Sequence, residues 1–484
     1  MTETQKPGKA ELAAMFSAFI DPAYVIDDSE SKRPYECDGL SIYCEMPLLV
    51  VLPETISQAQ RVLQICHQHE IPVVARGAGT GLSAGAMPNS EGVLLSLAKF
   101  DQILAIDPLA RTARVQPGVR NLAISETAAK YGLFYGPDPS SQIACTIGGN
   151  VAENSGGIHC MKYGLTVHNV LKLEILTADG EILILGSDGL DAAGFDLLAL
   201  MHGSEGLLGV VTEITVKLLP LPEHSQVVMA AFDSVERAGD AVAQVISQGI
   251  VPAALEMMDK HAIRAVEKFA KAGYPTDAKA LLLCELDGVE EEVVEQTNKV
   301  EALFRSLRAT STRVARSQEE KALLWKGRKS AFPAMGHISP DYYCMDGTIP
   351  RSKLAHVLIE MEKMSARYGL RVANVFHAGD GNLHPLILFD ANVPGEIEKA
   401  EELGGNILEL CVEVGGCITG EHGVGVEKLR QMTVQFDDRE LEQFHRIKDA
   451  FDPIGILNPG KGVPILKRCQ EYRSIDVAGS RRNH

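Results

Sequence analysis

Two glycine-rich segments, residues 77–85 and 146–157, constrain this chain more than any other feature. The first reads Gly77-Ala-Gly79-Thr-Gly81-Leu-Ser-Ala-Gly85 and lies between two short apolar runs of strand length, 72–75 and 92–97. Within it, Gly79-Thr-Gly81-Leu-Ser-Ala84 spells the G-x-G-x-x-A fingerprint of nicotinamide-dinucleotide folds. That fingerprint works only where its last positions open a helix whose N-terminus faces the pyrophosphate. Here Gly85-Ala-Met-Pro88-Asn-Ser-Glu-Gly92 follows, and a strand begins at once. A proline and two glycines leave no room for that helix, so the nicotinamide-type fold is excluded. The loop keeps another physical use, because glycines free of Cβ can turn consecutive N–H groups inward as an anion nest. The second segment, continuous with Pro137-Asp138-Pro-Ser-Ser141, is mostly uncharged and suits close backbone approach to a flat polar ring.

The length of 484 residues is about three times a typical domain of roughly 150, which predicts two or three domains. Lys and Arg total 46 against 64 Asp and Glu, a net charge of −18. A chain that acidic repels a phosphate backbone, and no basic run offsets it, so nucleic-acid binding is excluded. No apolar run approaches the roughly 20 residues needed to span a bilayer. The first residues, MTETQKPGKAELAAM, lack an apolar core and do not read as a signal peptide. The 10 cysteines are scattered with no C-x-x-C pair, which argues against zinc-ribbon and iron–sulfur ligation and for reduced thiols. The expectation is a cytoplasmic protein.

Residues 1–45 read as an adaptor with a short helix near 10–20. A β-α-β unit follows: a strand at 47–52, then Thr55-x-x-Gln58 as a capping box ahead of apolar residues at helical spacing, Ile56, Ala59, Val62, Leu63 and Cys66. From 113 to 219 the pattern is strands and turns, with 210–218 alternating as a sheet strand does. Pro220-Leu-Pro222 reads as a boundary. Beyond it, strands at 280–284 and 373–376 mix with long helices at 293–307 and 394–414, and Asn458-Pro-Gly-Lys461 makes a turn.

At the two glycine-rich segments the sequence resembles the FAD-binding family typified by vanillyl-alcohol oxidase and p-cresol methylhydroxylase, and the resemblance extends over nearly the whole chain. It implies flavin contacts from Arg76, Gly77, Ala78, Gly79, Thr80 and Gly81 in the first loop. From the second segment it implies Pro137, Asp138, Ser141, Gly148, Gly149, Asn150, Asn154, Ser155 and Gly157. Ser204-Glu205-Gly-Leu-Leu-Gly209 adds Glu205 and Gly209, and the tail adds Asn458 and Lys461. Three further motifs are similar to the FAD-linked subunits of bacterial glycolate oxidases: Asp341-Tyr-Tyr-Cys344-Met-Asp346-Gly-Thr-Ile-Pro350, His377-Ala-Gly-Asp-Gly-Asn382-Leu-His384, and Gly420-Glu421-His422-Gly-Val-Gly425. Related D-2-hydroxyglutarate dehydrogenases carry a lysine where Cys344 aligns, which argues against their larger substrate. Covalent relatives use a histidine in the first loop or a cysteine in the second domain. Residues 76–85 hold no histidine, and Cys145 and Cys160 read as packing residues, so dissociable FAD is expected.

His377 and His384 would point to opposite faces of a straight strand, but Gly379 and Gly381 around Asp380 favour a turn that gathers both imidazoles. Two imidazoles and a carboxylate, here Glu421, suit Zn²⁺ or a similar divalent metal ion, although a histidine pair at this spacing is also a common structural feature. In the zinc-using relatives that this region resembles, these three positions are the ligands. His422 is the candidate acid/base for the hydroxyl proton of a 2-hydroxy acid, since imidazole titrates near neutrality; the alternative is that it only orients Glu421. Arg328, in Trp325-Lys-Gly-Arg328, is the candidate grip on the substrate carboxylate, chosen mainly by its place in the family pattern. Asn382 adds a hydrogen bond from the metal loop.

The expected fold is α+β. A PCMH-type (p-cresol methylhydroxylase-type) FAD-binding domain of two α+β subdomains spans 46–222. A substrate and metal domain of antiparallel sheet and helices spans 223–449, with the active site between the two, and 450–484 returns to the flavin. The expected reaction is oxidation of a short 2-hydroxy acid, glycolate to glyoxylate by resemblance. The alternatives are D-lactate or another D-2-hydroxy acid, or a redox-inert flavoprotein that serves as an assembly subunit. With no iron–sulfur relay and no membrane segment in the chain, the flavin needs oxygen, a soluble acceptor or a partner. By resemblance the partners are a smaller FAD-fold subunit and an iron–sulfur subunit, at the inner face of the cytoplasmic membrane.

Overall fold

A computed structural model describes residues 6–189 and 193–465. The chain forms two compact units, and neither is a continuous stretch of sequence. One contains the residues up to Gly156, Leu165–Leu221 and those from Glu421 onward; the other contains Gly157–Gly164 and Pro222–Gly420. The sequence divided the chain near 222 and 449; the contact units divide it at Leu221 and Gly420, with a short excursion at 157–164 that no sequence signal marked.

In the first unit, a four-stranded sheet runs in the order Val25–Ile26, Leu49–Val51, Val93–Ser96, Val73–Arg76. The two last pairings are parallel, and the helix Ile56–Gln68 links the strands Leu49–Val51 and Val73–Arg76. Its N-terminus is the capping box read from the sequence, with Thr55 Oγ1 accepting from the Gln58 N–H and Gln58 Oε1 accepting from the Thr55 N–H. The helix buries Ala59, Val62, Leu63 and Cys66 against Leu49, Val73 and Leu95. The first 45 residues are more than an adaptor. Leu12, Phe16, Ile20 and Val25 join that core, and Val25–Ile26 adds an antiparallel edge strand.

A second, five-stranded sheet of this unit is antiparallel throughout, in the order Ile103–Asp107, Thr112–Val115, Val210–Lys217, Val170–Leu176, Ile182–Gly186. Its core takes in two helices, Asn121–Ala128 and Ile147–Glu153. The second lies inside the glycine-rich segment, where a helix was not expected, because paired glycines disfavour one. Gly148 is there for space: a Cβ on it would stand 2.5 Å from the Pro117 Cβ. The late segment returns to this unit. The helix Asp438–Phe451 packs Ile447 and Phe451 on the second core, and Leu457 bridges Val73 in parallel.

The second unit is built on a nine-stranded antiparallel sheet. Its main path runs Ser311–Val314, His224–Phe232, Ala280–Gly288, Ala254–Asp259, Arg371–His377, Asn382–Leu383, Gly347–Thr348. Pro385–Phe389 also pairs Arg371–His377 and carries Asp341–Cys344 beside it. Helices including Lys260–Ala270 and Ala331–Met335 cover a core of Met258, Ile263, Val266, Leu281, Leu283, Val375 and Leu386. The excursion Gly157–Gly164 fastens to this sheet through Lys162 and Tyr163, both hydrogen-bonded to Asp287.

Candidate active site

The flavin-side residues of the first unit converge from four stretches of chain. Arg76 ends the strand Val73–Arg76, is 7 % exposed, and donates to the Tyr35 carbonyl at 3.2 Å. Burial lowers its pKa, against the opposing pull of Asp38. Residues 77–85 leave the strand without forming a helix, and the Gly81 carbonyl accepts from the Gly39 N–H at 2.9 Å. From the second segment, Asn121 Nδ2 donates to the Pro137 carbonyl at 3.1 Å and to Asn150 Oδ1 at 2.9 Å, while Asn150 Nδ2 donates to Ser155 Oγ at 3.3 Å. The Ser141 carbonyl accepts from the Cys145 N–H at 2.8 Å. Asn154 closes the helix Ile147–Glu153 in the left-handed region and accepts from the Val167 N–H. The buried Cys145 thiol is held above the usual range by desolvation, which favours the packing role expected of it.

Glu205 is 6 % exposed, and its two oxygens accept from the Val424 and Gly425 N–H groups at 2.7 Å each. Burial raises its carboxyl, against those two donors and the charges of Lys428 and Lys461. Asn458 Nδ2 bridges the Glu205 carbonyl at 2.7 Å and the Gly85 carbonyl at 3.0 Å. Lys461 Nζ is held by Asn458 Oδ1 and by the Gly85 and Met87 carbonyls. Desolvation pulls this buried ammonium down to about 8. The tail residues thus knot the first glycine loop to the 205–209 turn.

The second unit gathers the chemistry-bearing residues of the other motifs. His377 is the last residue of the strand Arg371–His377 and His384 follows Asn382–Leu383, so the chain reverses between them. Gly381 makes the reversal possible at φ +86°, where an added Cβ would lie 2.2 Å from the Ile349 carbonyl. The two rings meet edge to face with centroids 5.1 Å apart, and their ligand nitrogens come within 4.8 Å. Both histidines are 3 % exposed.

Each imidazole has a buried carboxylate beside its Nδ1. Glu256 Oε1 lies 2.7 Å from His377 Nδ1, and Asp346 Oδ1 lies 3.9 Å from His384 Nδ1. Glu256 faces His377 directly across the antiparallel pair Ala254–Asp259 and Arg371–His377. Its other oxygen receives Arg328 from the helix Gln318–Lys329, with Nε at 2.7 Å and one terminal nitrogen at 2.6 Å. Desolvation pushes the Glu256 carboxyl up, but His377 and Arg328 outweigh it and hold the group below its usual range. Removing one partner from such a buried pair costs about 3–5 kcal/mol. Asp346, fully buried, accepts from Asn382 Nδ2 at 2.7 Å, Thr419 Oγ1 at 2.7 Å and the Gly420 N–H at 2.8 Å. It therefore fixes both the turn between His377 and His384 and the residue immediately before Glu421 and His422.

Two features went unread in the sequence, and a third was read only as the place of a missing lysine. Glu256 left a signal, a lone acid in the apolar run Ala-Ala-Leu-Glu-Met-Met. Asp346 sat inside a recognised motif with no role attached. Cys344, 4 % exposed, brings its Sγ within 4.8 Å of a His384 ligand nitrogen.

The donor chemistry fits a metal: a carboxylate on Nδ1 orients an imidazole to ligate through Nε2. The first unit presents the uncharged, glycine-rich backbone that a dinucleotide needs. Residues 47–186 match the family model described as an FAD binding domain, and residues 221–462 match FAD linked oxidases, C-terminal domain. The chain is 61% identical to the glycolate oxidase subunit GlcD of Escherichia coli strain K12, over 94% of this chain and 91% of that protein. It is 40% identical to the protein of the same name from Bacillus subtilis, over 90% and 93% of the two chains. A D-lactate dehydrogenase of Anaerostipes hadrus is 33% identical over 91% and 95%. Among solved structures, 4-ethylphenol oxidase from Gulosibacter chungangensis superposes with a TM-score of 0.79 at 18% identity, over 95% and 98% of the chains. A p-cresol methylhydroxylase with substrate bound gives 0.77 at 19%, over 95% and 97%, a likeness of fold. The α+β, PCMH-type architecture and the whole-length matches agree, and the chain belongs to the family of FAD-linked oxidoreductases that includes the GlcD subunits.

Proposed function

We propose that this protein oxidises glycolate to glyoxylate with reduction of non-covalently bound FAD, as the catalytic subunit of a larger complex. The observation that carries the reading is the buried set in the second unit, where one carboxylate braces both a candidate metal-binding histidine and the arginine that this reading assigns to the substrate anion. It stands on a chain 61% identical to a glycolate oxidase subunit. A redox-inert assembly subunit needs none of this set.

Arg328 receives the substrate carboxylate in bidentate fashion. His422 takes the hydroxyl proton as the α-carbon hydride departs, and Asn382 steadies the substrate oxygen. Loss of one proton and one hydride converts the 2-hydroxy acid to the 2-oxo acid. FAD, held by the glycine loops, Glu205 and the Asn458–Lys461 turn, supplies the hydride acceptor. His377, His384 and Glu421 would hold a divalent metal, Zn²⁺ by donor type, whose Lewis acidity favours the ionised hydroxyl. Glu421 and His422 follow directly on Gly420, whose amide is pinned to Asp346 in the second unit. Cys344 stands beside His384 where relatives that take a larger diacid carry a lysine, so no cation there receives a second carboxylate, which favours a short monocarboxylic acid. D-Lactate is the second reading, favoured by the 33% identical D-lactate dehydrogenase.

Electrons leave through partner subunits. A subunit name among the relatives supports an assembly, and no helix among the described residues is long and apolar enough to cross a membrane. The test is anaerobic mixing of the yellow protein with glycolate, D-lactate and longer 2-hydroxy acids, followed by turnover with an artificial dye. Bleaching fastest with glycolate supports the reading; a flavin unbleached by every acid refutes it.

A further inference from the structure

Arg328 and His377, assigned to different tasks, both lean on one carboxylate. Glu256 is almost fully buried, and its two oxygens are divided between them: Oε1 to His377 Nδ1 at 2.7 Å, Oε2 to Arg328 Nε at 2.7 Å and to a terminal Arg328 nitrogen at 2.6 Å. Strand pairing places Glu256 opposite His377, so the two side chains leave the same face of the sheet as direct neighbours. Arg328 is 2 % exposed, and the helix that carries it packs close, since a Cβ on neighbouring Gly327 would stand 2.5 Å from the Tyr274 hydroxyl. A guanidinium so confined takes its orientation from its counter-ion.

We propose that Glu256 is a positioning residue shared by two sites, orienting His377 to ligate the metal through Nε2 and holding Arg328 in the pose that receives the substrate carboxylate. The proposal rests on the metal and carboxylate roles argued above. Because one side chain braces both, a change at Glu256 is felt at the metal site and at the carboxylate site together.

The experiment uses the full-length, FAD-loaded protein. Zn²⁺ affinity is measured by competition with a chromophoric chelator, metal content by elemental analysis, and flavin content by absorbance. In Glu256→Gln, the amide can satisfy only one neighbour as an acceptor, so Zn²⁺ affinity should fall by roughly 10–100-fold with FAD retained. At saturating Zn²⁺, kcat should recover towards the native value while the KM for glycolate stays raised by roughly tenfold. Arg328→Met should raise KM but leave Zn²⁺ affinity native, because the Glu256–His377 contact survives.

If Glu256→Gln does not fold, the double variant Glu256→Leu with Arg328→Met removes both the acceptor and the unpaired buried guanidinium and reads the histidine half alone. Native Zn²⁺ affinity in either folded variant would overturn the proposal, as would a native KM in Glu256→Gln. A wild-type enzyme that turns over fully when shown metal-free would instead overturn the metal reading, and the proposal with it.

Discussion

At the scale of single residues, the candidate site divides by what each side chain touches. Replacing His422 with Asn should slow flavin reduction by glycolate by roughly 10²–10⁴-fold, the usual worth of a positioned acid/base. Metal content should hold, because Glu421 is untouched; stopped-flow absorbance and elemental analysis read the two separately. His377→Ala should remove the metal and nearly all turnover while the protein stays yellow. The histidine pair was legible in the sequence because two glycines around Asp380 announced a turn, and a turn gathers residues that a strand would part. Glu256 was not legible as a partner. Its neighbours His377 and Arg328 lie 121 and 72 residues away; strand register brings the first to it and the packing of the helix Gln318–Lys329 the second.

At the scale of elements, patterns with a local cause were readable and those set by close packing were not. The capping box at Thr55 and the absence of a helix after Gly85 follow from a few adjacent residues. The helix Ile147–Glu153 does not, because Gly148 and Gly149 oppose it locally and the packing on Pro117 decides. Gly148→Ala should therefore destabilise by about 1–3 kcal/mol through overpacking, despite the better helix propensity of alanine, and loosen FAD binding. Denaturant melts and flavin titration test both effects. The helix Leu197–Met201 makes a different prediction. His202 at its end has Nδ1 on the Leu198 carbonyl at 2.8 Å, and burial pulls its pKa from 6.5 to about 4. With the folded value below the unfolded one, the unfolded chain binds more protons between those limits. Stability should fall as pH drops from about 6.5 to about 4, by up to about 3 kcal/mol. His202→Gln should flatten that limb; an unchanged acid profile would mean that His202 is not its cause.

At the scale of the molecule, the described part of the tail closes on the first glycine loop, with Leu457 beside Val73 and Asn458 bridging Gly85 and Glu205. The sequence could not mark the excursion at 157–164, because eight residues carry no periodicity of their own. Truncation after Gly420 should abolish FAD retention even though the second unit's residues are all present; gel filtration with absorbance at the flavin band would show it. The same closure sets a clock during synthesis. Val73 donates its N–H to Ile456 and Asn458 donates to the Val73 carbonyl, so one edge of the first sheet waits for residues made 457 − 73 = 384 positions later. At about 5–20 residues per second that is roughly 20–80 s. Through that interval the nascent chain carries an open strand edge, so a ribosome-bound chaperone has its longest task on the half of the protein that is translated first.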